Sequence, residues 1–199
     1  MRIVVATKNN GKLKEFRKIL TGHEVLSQTE LGITADILED GQTFEENALK
    51  KAREIAQLSD ALTVADDSGL VVDYLDGQPG IYSARFAGEP SDDERNIDKL
   101  LSLLEGVPTQ QRTARFVSVI AARFSDGREI VARGECEGLI TTRRCGSGGF
   151  GYDPVFYVSG FDKTFAEMPD SLKNEISHRA LALQQFKLEL ASAENIVNK

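Results

Sequence analysis

The chain has 199 residues, 41% of them hydrophobic and 28% charged, with a formal net charge of -7. That length suits one domain or two closely joined lobes, the apolar share supports a real core, and the acidic balance excludes a nucleic-acid coat. No apolar run approaches membrane-spanning length. The opening residues read as a strand rather than a signal peptide, and Cys136 and Cys145 without a CxxC pair exclude a disulfide framework or a structural zinc site, so a cytoplasmic home is expected.

The acidic balance is uneven. Residues 1–18 hold Arg2, Lys8, Lys12, Lys14, Arg17 and Lys18 against one acid, Glu15, a local positive excess suited to a small anion. Residues 2–6 read as a buried strand, and residues 12–20 as a helix with Leu13, Phe16 and Leu20 on one face. Between them, Thr7-Lys-Asn-Asn-Gly-Lys12 supplies a hydroxyl, two amides, a glycine and two lysines. Unpaired N–H groups at a helix start favour an anion, and lysines add charge-assisted bonds to phosphate oxygens. The Walker spacing is absent, so on its own this loop reads as a surface turn with solvated lysines.

Thr43-Phe-Glu-Glu46 predicts a capping box, and Phe44, Ala48, Leu49, Ala52, Ile55 and Ala56 follow at helical spacing. The acidic turn Glu39-Asp40-Gly41 has two readings: favourable charge at the helix start, or metal ligation together with Asp67. Lys50 and Lys51 read as a solvated face, with the option that one turns inward to a phosphate.

Thr63-Val-Ala-Asp-Asp-Ser-Gly-Leu-Val-Val-Asp-Tyr74 is the most unusual stretch. Adjacent buried carboxylates are costly unless paired or bound to a cation. Gly69 permits a bend. The stretch reads either as a strand end presenting a carboxylate to a cation or as an acidic turn between two strands. Arg85, further on, reads as an ion-pair partner or a ligand contact.

Ser91 to Glu94 predicts a second capping box, opening a helix with Ile97, Leu100, Leu101 and Leu104 inward. Residues 113–124 alternate and predict a long strand. Asp126-Gly127 signals a hairpin, and residues 129–136 predict the partner strand. Arg112, Arg115, Arg123, Arg128 and Arg133 are expected on its solvated side. Residues 145–154 place four glycines among residues 146–151, which lets backbone approach a ligand closely. Phe150 and Tyr152 would offer aromatic faces for a base, and Asp153 a polar contact. A last helix is expected from Ser177, with Ile176 stapled to Leu181, and Leu181, Leu183, Leu188 and Leu190 packed inward. His178 and Arg179 fall in its first turn, where the dipole opposes cations. An anionic ligand or the oxo group of a base would favour them there, with Lys173 joining.

Together these pieces resemble the Ham1-like family of non-canonical purine nucleoside triphosphate pyrophosphatases (inosine triphosphatases, XTP/dITP diphosphatases). The resemblance rests on A-T-K-N-N-G-K at 6–12, T-F-E-E-N-A at 43–48, A-D-D-S-G-L at 65–70, P-G-I-Y-S-A-R-F at 79–86, G-G-F-G-Y-D-P at 148–154 and I-S-H-R at 176–179. Each motif is weak alone, and six in order across one chain are specific. The resemblance implies an α/β fold over residues 1–199, with a long mixed β-sheet flanked by helices and two lobes around a central cleft. It implies cleavage of ITP, dITP and XTP between the α and β phosphates, a magnesium cofactor and a homodimer.

Carried over residue by residue, the resemblance puts Thr7, Lys8, Asn9, Asn10, Gly11 and Lys12 on the triphosphate loop and Lys51 on a phosphate contact. Asp67 falls on the acidic metal ligand and general base, and Ser68 on a substrate contact. Phe150, Gly151, Tyr152 and Asp153 fall on the base-side loop, and Lys173, His178 and Arg179 on the base-recognition cluster. A second metal ligand falls at Leu38 or Glu39. At Leu38 it would be lost, replaced by water, or shifted to Glu39, and the metal would then rest chiefly on Asp67. Two other functions remain open at this level: a related pyrophosphatase for modified pyrimidine or methylated nucleotides, and a nucleotide sensor without catalysis.

Overall fold

The computed structural model describes residues 1–197, with side chains to Ala193. The chain begins with β1 (Arg2–Val5), α1 (Asn10–Ile19) and β2 (Glu24–Ser27). Then come α2 (Phe44–Ala56), β3 (Leu62–Val72) and α3 (Asp93–Leu103). β4 (Thr113–Arg123) and β5 (Glu129–Ile140) precede the short β6 (Phe156–Val158) and β7 (Lys163–Thr164). The helices α4 (Asp170–Ile176) and α5 (His178–Val197) close the fold. The sheet runs β2-β1-β3-β4-β5-β6-β7. β1 is parallel to β2 and β3, and β6 is antiparallel to β5 and β7. This is the expected α/β architecture with a mixed sheet.

Two compact units divide the chain: residues 1–67, 118–134 and those from 179 onward form the first, and residues 68–117 with 135–178 the second. The first is built around Ile3, Val5, Phe16, Leu20, Val64, Ile120, Leu183 and Phe186. The second has its own core of Leu70, Ile97, Leu100, Leu104, Phe116, Phe156 and Phe165. Fully burying one such side chain contributes about 1.5–3 kcal/mol, so each unit carries an independent apolar nucleus.

Several elements differ from expectation. β3 is neither a strand end nor a turn: it runs unbroken through Asp66-Asp67-Ser68-Gly69, because each carboxylate finds cationic or amide partners. Glu46 caps one residue further out than predicted, accepting from the Gln42 N–H at 2.6 Å, while Thr43 Oγ1 accepts from the Glu46 N–H at 3.1 Å. α3 is capped by Asp92, which accepts from the Arg95 N–H, and Ser91 bonds the Ala84 carbonyl instead. α4 was not legible as a separate helix. In α5 the inward face is Ala182, Leu183, Phe186 and Leu190, whereas Leu181 and Leu188 are exposed. At about 100° per residue, Leu188 turns away from a stripe that alanine and phenylalanine complete.

Arg112 is the clearest correction. It is buried, not solvated, and donates from all three guanidinium nitrogens to the carbonyls of Ile140, Leu104 and Thr141, at 2.7 Å each. Buried carbonyls must be satisfied, and one planar fork satisfies three. Arg115, Arg123, Arg128 and Arg133 do make surface pairs, with Asp73, Glu129, Asp126 and Glu45.

Candidate active site

The first unit assembles the site from the loop after β1, the helix α2 and the middle of β3. Asn9 caps α1, its Oδ1 accepting from the Lys12 N–H at 3.1 Å. The Thr7 hydroxyl accepts from the Asn9 N–H at 3.1 Å, so it shapes the loop while its own proton stays available to a ligand. Asn10 and Gly11 open the helix, and first-turn N–H groups have no partner within their helix. Lys8 reaches Asp36 at 3.0 Å on the surface.

Three cations surround one carboxylate. Asp66, 2% exposed, receives Lys12 Nζ at 3.1 Å and Arg179 Nε at 3.2 Å. Glu15 takes the other side of Arg179. Burial works against the Asp66 charge, but Lys12, Arg179 and Lys51 outweigh it and hold its pKa well below the usual carboxylate range. Lys12 is left the least compensated. Burial lowers its pKa, repulsion from Arg179 and Lys51 adds to that, and Asp66 only partly offsets the loss. The same carboxylates explain how Arg179 is tolerated in the first turn of α5: Asp66 and Glu15 together raise its pKa against burial.

Asp67, 6% exposed, belongs to a second cluster. Lys51 turns inward rather than into solvent. Its Nζ lies 2.6 Å from Glu39 Oε1 and 3.4 Å from Asp67 Oδ1. Burial would lower the Lys51 pKa, but the two carboxylates raise it. Asp67 behaves oppositely to its neighbour: burial raises its pKa, and Glu39 adds to the rise against Lys51. Leu38 is 70% exposed, so the acid brought beside Asp67 is Glu39. In the Glu39-Asp40-Gly41 turn, Glu39 pairs with Lys51 and Asp40 with Lys50, at 2.6 Å each.

A cavity of about 240 Å³ is lined by Thr7, Lys8, Asn9, Lys12, Glu39, Lys51 and Asp66. It is smaller than pockets that enclose drug-sized ligands, and its wall sets three lysines beside the acids Asp36, Glu39 and Asp66, a mixed lining that suits a polyphosphate carried with a cation. Asp67 joins it through Lys51. Among the described residues no group of three or more His, Cys, Asp or Glu side chains gathers around a metal position. Magnesium does not need one: it binds through one or two carboxylates, completed by waters and substrate phosphates. Glu39 and Asp67 are hard oxygen ligands already converging on one positive charge, so the donor set fits.

The second unit holds the other expected site residues. Phe150 is 41% exposed, and Lys173 Nζ stands 4.9 Å from its ring centre. Tyr152 is not an open platform: it is buried, its hydroxyl donating to the Ser83 carbonyl at 2.8 Å. Asp153 is also buried. It accepts from Lys173 and from the Phe150 N–H at 2.9 Å, which pins the loop. Gly149 has φ +75°, and a Cβ there would lie 2.0 Å from Asp153 Oδ2, so only glycine fits this turn. The Gly151 N–H bonds Asp93 at 2.8 Å. His178 stacks on Phe116 with ring centres 4.6 Å apart. Ser68 is half-buried on β3. Arg85 lies over the Tyr82 ring at 5.3 Å. Arg179 falls in the first unit with Asp66, not in this cluster. Sequence reasoning passed over Asp66, Glu15 and Asn47. The only signal for Asp66 was the cost of burying adjacent carboxylates.

An α/β fold with a lysine-bearing loop after β1 and clustered carboxylates beside it has the chemistry of a class of proteins that handle phosphorylated ligands. Residues 3–189 match the profile of the Ham1 family, and the chain belongs to that family. It is 52% identical over 186 residues to the dITP/XTP pyrophosphatase of Shouchella clausii, covering 93% of this chain and 94% of the relative. It is 48% identical over 185 residues to the Bacillus subtilis protein of the same name, covering 92% and 93%. The solved structure of the Staphylococcus aureus Ham1 protein superposes with a TM-score of 0.89 at 42% identity, covering 97% of this chain and all of that one.

Proposed function

We propose that this protein hydrolyses deaminated purine nucleoside triphosphates (ITP, dITP and XTP) to the nucleoside monophosphate and pyrophosphate. The observation that carries the reading is the cavity in which Lys12 and Lys51 stand together with Asp66 and Glu39. Relatives about half identical over most of their length bear the name dITP/XTP pyrophosphatase.

Lys12, short of negative charge, would draw a phosphate, and binding would offset the cost of its burial. Lys51 would place a second positive charge on the polyphosphate as the leaving pyrophosphate gains charge. Thr7, Asn9, Asn10 and Gly11 would orient phosphate oxygens with hydroxyl, amide and helix-start N–H groups. Lys8, surface-paired with Asp36, would exchange that weak pair for phosphate. Glu39 and Asp67 would hold a divalent cation, magnesium by its preference for carboxylates and phosphates. Such an ion supplies charge neutralisation and orients the triphosphate for in-line attack. Asp67, the carboxylate that the resemblance puts at the general-base position, would accept the proton of a water that attacks the α-phosphorus. The water oxygen bonds to that phosphorus, the α–β bridging oxygen leaves with pyrophosphate, and the proton rests on Asp67.

For the base we assign the second unit's cluster. The exposed Phe150 ring would stack on a purine. Lys173 and His178 would donate to the 6-oxo group that hypoxanthine and xanthine present and adenine lacks. A site built on such bonds rejects a base that returns a donor to a donor. Arg179, which the resemblance puts with the base cluster, commits Nε to Asp66 and one Nη to Glu15 and so would act mainly by holding Asp66. Ser68, Gly151, Tyr152 and Asp153 would shape this side.

No helix among the described residues is long and apolar enough to cross a membrane, and both cysteines are free, which supports a cytoplasmic setting. The homodimer implied by the family resemblance is checked by light scattering on a sizing column. The function is tested with ITP, dITP, XTP, dUTP, ATP and GTP at equal concentration, with magnesium and with EDTA. Pyrophosphate release confined to the first three and lost in EDTA is expected. Equal rates with ATP would refute the base assignment.

A further inference from the structure

We propose that Asn47 is a positioning residue: its carboxamide ties the turn carrying Glu39 to Asp67 and so sets how the two carboxylates converge on one cation. The inference rests on the metal reading of Glu39 and Asp67 above. Asn47 is fully buried inside α2. Asparagine is a mediocre helix former, and a buried amide is costly unless its hydrogen bonds are made. Here both ends are used. Oδ1 accepts from the Gly41 N–H at 2.8 Å, and Nδ2 donates to Asp67 Oδ2 at 3.1 Å.

The rest of the geometry follows from that bridge. Gly41 lies two residues beyond Glu39, so fixing its backbone fixes the approach of the Glu39 side chain. A Cβ on residue 41 would fall 2.8 Å from Asn47 Oδ1 and 2.8 Å from Glu46 Cβ, so a larger residue forces the turn off the amide. Lys51 is four residues after Asn47 and shares its helix face. Asn47 therefore holds one oxygen of Asp67 while Lys51 meets the other and Glu39 besides. One face of α2 thus sets both carboxylates through an amide that need never touch substrate. Partners of this kind behind metal-holding groups are worth about 10–100-fold in metal affinity or activity.

The test is manganese binding, read by electron paramagnetic resonance on the full chain without nucleotide, for wild type, Asn47→Ala, Gly41→Ala and Asp67→Ala. Thermal melts run alongside. Asn47→Ala and Gly41→Ala are expected to weaken manganese about tenfold or more, although neither removes a carboxylate. In turnover, both should raise the magnesium concentration for half activation, while the KM for dITP at saturating magnesium stays near wild type. Wild-type manganese affinity in both variants, with binding lost in Asp67→Ala, overturns the role of Asn47 and leaves the metal reading standing. Wild-type affinity in Asp67→Ala overturns the metal reading itself and this inference with it. If Asn47→Ala melts below the assay temperature, Gly41→Ala decides by the same criterion.

Discussion

Adjacent aspartates on β3 should respond to the same substitution in opposite ways. Asp66→Asn removes the carboxylate shared by Lys12 at 3.1 Å and Arg179 at 3.2 Å, while the Arg179–Glu15 pair stays. Removing one partner of a buried pair costs about 3–5 kcal/mol, because the other charge stays buried. For a chain of this size each kcal/mol is worth about 2–4 °C, so a fall of roughly 6–20 °C in Tm is expected. The folded pKa of Asp66 is depressed. Its contribution is therefore fully present above the unfolded carboxylate pKa of about 3.9 and is lost as pH falls towards the folded value. The gap between wild type and variant should thus close below about pH 4. Pyrophosphate should raise the Tm of Asp66→Asn more than that of wild type, since phosphate replaces the missing charge beside Lys12. Asp67→Asn keeps Glu39 against Lys51 and relieves a carboxylate whose pKa is raised. Its Tm should stay within about 3 °C of wild type, while turnover falls by about 10²–10⁴, the range for a lost general base. Scanning calorimetry from pH 3 to 8 and pyrophosphate-release kinetics measure both. A wild-type Tm in Asp66→Asn at pH 7, or wild-type turnover in Asp67→Asn, would refute the division of labour.

Three further outcomes follow from particular residues. Lys12 must be protonated to hold phosphate and its pKa is lowered by burial, so kcat/KM should fall on the alkaline side below the ordinary lysine range, and earlier still in Asp66→Asn; a pH profile flat to pH 10 or above would contradict this. Arg112→Ala should leave the carbonyls of Leu104, Ile140 and Thr141 without their donor and cost about 3 kcal/mol or more, since a bond to a charged donor is worth about 1.5–3 each; urea unfolding at unchanged manganese affinity checks it. Gly149→Ala should raise the KM for dITP more than it lowers kcat, because a Cβ cannot share space with Asp153 and the loop under Phe150 must shift; an unchanged KM would show that this loop does not read the base.

Local patterns made much of this molecule legible. The strand–loop–helix opening, the long strand at 113–123 and the turn at Asp126-Gly127 follow from period, glycine and charge, which act over a few residues. What failed to show depends on distant partners. Arg179 is 113 positions from the Asp66 it pairs with, so the continuity of β3 through two carboxylates could not be read from β3 alone. Arg112 looked like a surface arginine because nothing nearby reveals three carbonyls needing one donor. The inward face of α5 was misread because leucine was weighed above alanine. In the site, Asp67 stood out as a charge in an unusual place and Lys12 within a local positive excess, whereas Lys51 read as a solvated face because its partners Glu39 and Asp67 lie elsewhere in the chain, and Asn47 hid inside a helix-start motif that explained its neighbours.

The central claim is that lysines and carboxylates of the first unit direct water to the α-phosphorus of a triphosphate. Hydrolysis of dITP in oxygen-18 water, with products resolved by phosphorus-31 NMR and mass spectrometry, tests it most directly. The account predicts dIMP carrying one oxygen-18 and unlabelled pyrophosphate. Orthophosphate with dIDP, or label in the pyrophosphate, would contradict it.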